Sequence, residues 1–180
     1  MGSLALLNIS KKETEAIMKV LLAIVALSLL PKIVNAAEPY REEVLTLEQA
    51  KDLIAGCESY SVKHELASLS MAVYDASGNL KLFARQDGAV FVTVEFAHIK
   101  GRTAAVSALA TSELAKIEFA DQSQPLGIRY LDHLTVVQGG VAVSSVSGQH
   151  LGGFGVSGAP AEHDEACGLA GVKNMLASNK

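Results

Sequence analysis

Two strand-like stretches, each closed by a tight-turn signal, constrain this chain more than any other feature. In the first, Leu69, Met71 and Val73 alternate with Ser70, Ala72 and Tyr74. Ala76-Ser77-Gly78-Asn79 then has turn chemistry, and Leu80–Arg85 reads as the returning strand. In the second, Val136–Val146 reads as one strand with Gly139-Gly140 inside it, and Ser147-Gly148-Gln149 turns the chain into Leu151–Val156. Segments of helical period surround these hairpins. Thr46-Leu47-Glu48-Gln49 is a capping box, and Ala50, Leu53, Ile54, Cys57 and Ser61 predict a helix over 46–64. A second helix is expected over 92–111, with Val92, Phe96, Ile99, Thr103 and Val106 as its apolar face. A separate stripe of Ala97, Gly101, Ala105 and Ala108 has almost no side chain, which lets another backbone or a flat ligand come close; another helix is the usual partner. Ser112–Lys116 reads as a short helix and 119–132 as irregular, with Pro125 and Gly127. Pro160 opens a last helix over 160–177, with Leu169, Val172 and Leu176 inward. Hairpins between helices, rather than βαβ units, imply a mainly antiparallel sheet with helices packed on it, an α+β architecture.

The first fifth of the chain reads differently. Val20–Leu30 is a run of eleven residues, apolar except Ser28. A membrane-spanning helix needs about 17–25 apolar residues, so this run suits the core of a secretory signal instead. Lys19 precedes it, and Val34-Asn35-Ala36-Ala37 follows with small residues placed for cleavage after Ala36 or Ala37; an uncleaved membrane anchor is the competing reading. Met18 makes the more ordinary signal start, because the preceding stretch is long and contains Glu13 and Glu15. The expectation is a signal segment over 1–36, a short polar lead over 37–44 and one domain over 45–178, exported to the periplasm or secreted. Four lysines (Lys11, Lys12, Lys19, Lys32) and two glutamates leave with the segment, so the net charge moves from −4 to −6. Nucleic-acid binders are normally strongly basic, so nucleic acid is not an expected partner; nor is a nucleotide, because the one glycine motif lacks the second βα unit that a dinucleotide site requires. Cys57 and Cys167 are left in the mature part, where they either pair or stay as buried thiols.

Few short motifs carry chemistry. Gly153-Phe154-Gly155-Val156-Ser157-Gly158 matches the dinucleotide fingerprint, but only 22 residues follow it, too few for a second βα unit and its acidic residue. What remains is a glycine-rich loop at a helix N-terminus, a potential anion cradle, although Glu162, Asp164 and Glu165 crowd that first turn. Glu162, His163 and Glu165 are a weak metal-ligating set for the same reason, since acidic first turns are routine. The histidines His64, His98, His133, His150 and His163 have no zinc-site spacing, and Ser157 is not in a nucleophile elbow. On the second helix, Glu95, His98 and Arg102 fall at i, i+3, i+7 beside Lys100 and Thr103. That face is either solvated or offers cations to carboxylates and an imidazole to iron.

An ordered set of segments carries more weight. Leu45-Thr46-Leu47-Glu48-Gln49-Ala50 is followed by Val73-Tyr74-Asp75-Ala76-Ser77-Gly78-Asn79 and Arg85-Gln86-Asp87-Gly88-Ala89. Next come Ala97-His98-Ile99-Lys100-Gly101-Arg102-Thr103-Ala104, Gly139-Gly140-Val141-Ala142-Val143 and Gly155-Val156-Ser157-Gly158-Ala159-Pro160. Asp164-Glu165-Ala166-Cys167 and Ala170-Gly171 complete it. Over about 45–175 this set resembles the GlcG/HbpS family of haem-degrading or haem-binding domains. The resemblance implies a profilin-like fold, a five-stranded antiparallel sheet flanked by helices, and assembly into homo-oligomers. It implies haem or iron as ligand, with haem breakdown in some members. The family's lysine and threonine fall on Lys100 and Thr103, and its glycine-rich loop on Gly155–Gly158; Gly101 stands where members often have alanine.

The leading expectation is an exported haem- or iron-binding protein, with His98, Lys100, Arg102 and Thr103 contacting ligand and residues 153–158 (Gly153, Gly155, Ser157, Gly158) shaping a loop beside them. His98 is read from its neighbours on the helix rather than from the family. One rival is an accessory protein or enzyme for a small organic acid, using Arg85, Asp87 and the glycine loop. The other is a non-catalytic sensor or interaction module working through the Glu162–Glu165 cluster.

Overall fold

The computed structural model describes residues 12, 15, 18, 19, 43–121 and 123–178. The chain divides into two units, Met1–Tyr40 and Arg41–Lys180. In the first, the apolar run 20–30 and the expected cleavage site lie outside the described residues, as does most of the 37–44 lead. Among the described residues no helix is long and apolar enough to cross a membrane.

The second unit runs α1 (Leu47–Lys63), β1 (Ser70–Asp75), β2 (Leu80–Arg85), α2 (Phe91–Ser107), α3 (Thr111–Glu118), a 3-10 turn (Ile128–Tyr130), β3 (Gly140–Ser144), β4 (His150–Ser157) and α4 (Ala161–Ser178). Thr46 caps α1 as its sequence dictates: its hydroxyl accepts the Gln49 N–H, and the Gln49 side chain accepts the Thr46 N–H. The two hairpins join through β1 and β4 into one antiparallel sheet of order β2-β1-β4-β3. Among the described residues four strands form where the resemblance implied five. The residues before β3 bond elsewhere: the Thr135 N–H goes to Thr103 Oγ1 and the Val137 N–H to Thr135 Oγ1. For the same reason the strand expected from Val136 begins only at Gly140.

Helices cover both faces of the sheet. On one side α1 and α4 enclose the main core, where Leu53, Leu69, Met71, Val73, Val141, Phe154, Val156 and Met175 are fully or almost fully buried. Burying a side chain of that size contributes about 1.5–3 kcal/mol. Cys57 and Cys167 are bonded to each other in this core, which removes the free-thiol alternative. Leu169, expected inward, is 54% exposed; Cys167, Gly168, Gly171 and Met175 form the inner stripe of α4 instead.

On the other side lies α2, rotated from its expected orientation. Val92, Phe96 and Val106 are 52%, 40% and 45% exposed, while Ala97, Gly101, Ala104 and Ala105 are buried. Ala97, Gly101 and Ala105 of the small-residue stripe, joined by Ala104, pack on the sheet and not on another helix, while Ala108 is exposed at the helix end. The stripe's counterpart is glycine: a Cβ on Gly155 would collide with the Ala97 carbonyl and the Gly101 backbone, and one on Gly153 with the Gly101 carbonyl. Small residues on both sides bring helix and sheet within backbone contact, and the larger α2 side chains are left facing out. The helix stops at Ser107, short of the expected 111, because Ala108 adopts a left-handed conformation (φ 55°).

Candidate functional site

The outward face of α2 builds a groove of about 410 Å³ with Tyr74 from β1 and His133 from the segment before β3. From α2 it takes Val92, Glu95, Phe96, His98, Ile99 and Arg102. Ligand clefts commonly measure about 300–1,000 Å³.

His98 is the most constrained polar group there. Its Nδ1 lies 2.8 Å from the Tyr74 hydroxyl, its ring stacks on Phe83 (centroids 4.7 Å apart, 20° between planes), and it meets the Tyr74 ring edge-on at 6.0 Å. Tyr74 is itself 8% exposed; burial raises its phenol above the ordinary value of 10.0, with Arg102 opposing and Glu95 adding to the shift. Tyr74 is thus a neutral phenol at neutral pH. When His98 carries its proton on Nδ1 it donates to that oxygen, and Nε2, which has no hydrogen bond among the described residues, presents a lone pair. A hydrogen bond to the ring nitrogen that does not ligate is how proteins fix the tautomer of a ligating imidazole. Arg102 forms no ion pair among the described residues and is the groove's cation.

The other residues singled out by sequence go elsewhere. Lys100 is 3% exposed and donates to Asp164 Oδ2 (2.8 Å) and the Val156 carbonyl (3.1 Å). Burial holds the Asp164 carboxyl above its ordinary 3.8, against the pull of Lys100 and the Ala159 N–H. Thr103 is fully buried, donating to the Ile99 carbonyl and accepting from Thr135. Arg85 donates twice to the Ala89 carbonyl, and Asp87 is exposed. Gly153 and Gly155 lie within β4 beneath α2, so the expected glycine loop is largely strand. Ser157 ends that strand opposite Ser70, and Gly158 packs on the backbone of Ser68 and Leu69. Glu162, His163 and Glu165 diverge: Glu162 is exposed, His163 approaches Tyr60, and Glu165 accepts from Ser112. Among the described residues no three His, Cys, Asp or Glu side chains gather to hold a metal.

Sequence reasoning did not find Tyr74, Phe83 or His133 as site residues. Strand alternation placed Tyr74 on the face of Ala72, a usable signal. His133 follows an irregular segment and adopts a left-handed φ of 64°, which no local pattern announces.

The fold has solved relatives. HbpS superposes with a TM-score of 0.66 at 31% identity, covering 76% of this chain and 93% of that one. The Klebsiella pneumoniae protein ORFY gives 0.68 at 21% identity, covering 78% and 97%. PduOC, solved as a complex with haem, gives 0.65 at 22% identity, covering 73% and 95%. No curated protein matches this chain. The family model described as haem degrading protein HbpS-like matches residues 45–173, and with that extent of match the chain belongs to the HbpS-like family.

Proposed function

We propose that this chain binds haem, or iron, in the groove beside α2, and that it is an exported, homo-oligomeric protein. The observation that carries the reading is His98, gripped by Tyr74 and Phe83 with Nε2 unbonded in an apolar groove. The donor set fits a porphyrin. Val92, Phe96 and Ile99 offer apolar surface to a flat ring, Arg102 a partner for a propionate, and His98 Nε2 a ligand for iron. Bound haem would supply an iron able to take such a nitrogen as ligand. Lys100 and Thr103 act at one remove, holding α2 in place. Membership of the HbpS-like family and the haem complex of PduOC support the same ligand; breakdown of bound haem belongs to the proposal through the family's description. Haemin titration of the full chain tests it: a Soret shift is expected, with a different position or lower affinity in His98→Ala, and no shift at micromolar haemin would refute it.

A further inference from the structure

We propose a second ligand site, independent of the groove and on the opposite side of the sheet: His64 and His163 together take a divalent transition-metal ion, copper(II) foremost. His64 is the exposed C-cap residue of α1 and His163 lies in the first turn of α4. Their ring centroids are 6.3 Å apart with 48° between the planes. With metal–nitrogen bonds of about 2.0–2.1 Å and a ring nitrogen about 1.1 Å from its ring centre, two imidazoles on one ion have centroids at most about 6.4 Å apart. The pair is within that limit, and the roughly 5 Å of a tetrahedral site requires the exposed His64 to turn toward His163.

Tyr60 organises both rings. It stacks on His64 with centroids 4.1 Å apart, and its hydroxyl lies 3.5 Å from His163 Nδ1. That contact sets the phenol beside Nδ1 of His163, so the ion is proposed on Nε2, the arrangement in which an outer partner faces the non-ligating nitrogen. The helices that carry the imidazoles are also covalently tied. Cys57 lies three residues before Tyr60 on α1, and Cys167 four residues after His163 on α4, so their bond holds the two helix ends together before any ion arrives. No third His, Cys, Asp or Glu joins the pair among the described residues, so water completes the coordination. Two neutral nitrogens suit copper, nickel or zinc and not calcium or magnesium, which demand oxygen, and copper(II) stands highest in the divalent series.

The test is a copper(II) titration of the full chain, read by calorimetry and electron paramagnetic resonance. Nitrogen splitting from two imidazoles is expected at one equivalent. His64→Ala and His163→Ala should each leave one imidazole and weaken binding at least about tenfold, the least that loss of a mere orienting partner costs a metal site. The haemin titration should be unchanged in both variants, which separates this site from the groove. Copper affinity and spectrum unaltered in the double variant overturn the proposal. So does a spectrum of the unsubstituted chain showing fewer than two imidazole nitrogens, a result that needs no variant to fold.

Discussion

The Lys100 ammonium lies 2.8 Å from Asp164 Oδ2, both side chains 3% exposed, and the pair ties α2 to α4 across the end of β4. Sixty-four residues separate the partners, so the contact exists only once the layers have assembled. Removing one partner strands the other charge in the interior. Lys100→Met or Asp164→Asn is expected to cost about 3–5 kcal/mol, whereas an apolar replacement of both recovers much of that loss. Urea denaturation of the single and double variants measures it; singles within 1 kcal/mol of the parent would show that the pair is not holding the layers.

The approach of α2 to the sheet makes a second expectation. A Cβ on Gly101 would stand 2.6 Å from the Ala72 carbonyl oxygen and 2.8 Å from the Gly155 nitrogen. Gly101→Ala must lift the helix, and overpacking of this kind costs about 1–3 kcal/mol. Thermal melts should show the loss. A melt equal to the parent's would mean that α2 shifts freely.

Those contacts also explain what the sequence concealed. The capping box at Thr46 and both turns depend on neighbouring residues, and were legible. The facing of α2 was not, because hydropathy favours Val92, Phe96 and Val106, whereas the sheet selects residues small enough to reach Gly153 and Gly155. The same two glycines mimic the dinucleotide fingerprint. A spacing of two places them on one side of a strand, which one sequence cannot distinguish from a loop. Lys100 and Asp164 misled for a similar reason: each reads as a surface charge until its distant partner is seen. His98 and Arg102 were legible as a pair on one helix face, but Tyr74 and His133 reach them from other segments.

Burial raises the Tyr74 phenol, and the sign of its stability effect follows. A group whose folded value exceeds its unfolded value of 10.0 contributes stability that is full below about pH 10 and lost as pH rises through the folded value. Alkaline difference absorbance should show one tyrosine ionising late, with the fold weakening as it does. Tyr74→Phe should delete that late component; if the component persists, another tyrosine is responsible.

The bond between Cys57 and Cys167 closes a sequence separation of 110 residues. Replacing both with alanine should lower stability by about 2–5 kcal/mol, chiefly by freeing the unfolded chain. Denaturant midpoints of the oxidised parent and the double variant decide this, and equal midpoints would contradict it.

The central claim concerns His98 as the ligand that Tyr74 orients. Haemin titration of the full chain beside His98→Ala, followed in the Soret band, tests it most directly. The expected result is a saturable shift in the parent, and in His98→Ala a changed band position with affinity lowered at least about tenfold. A band of the same position and affinity in both proteins would contradict the account.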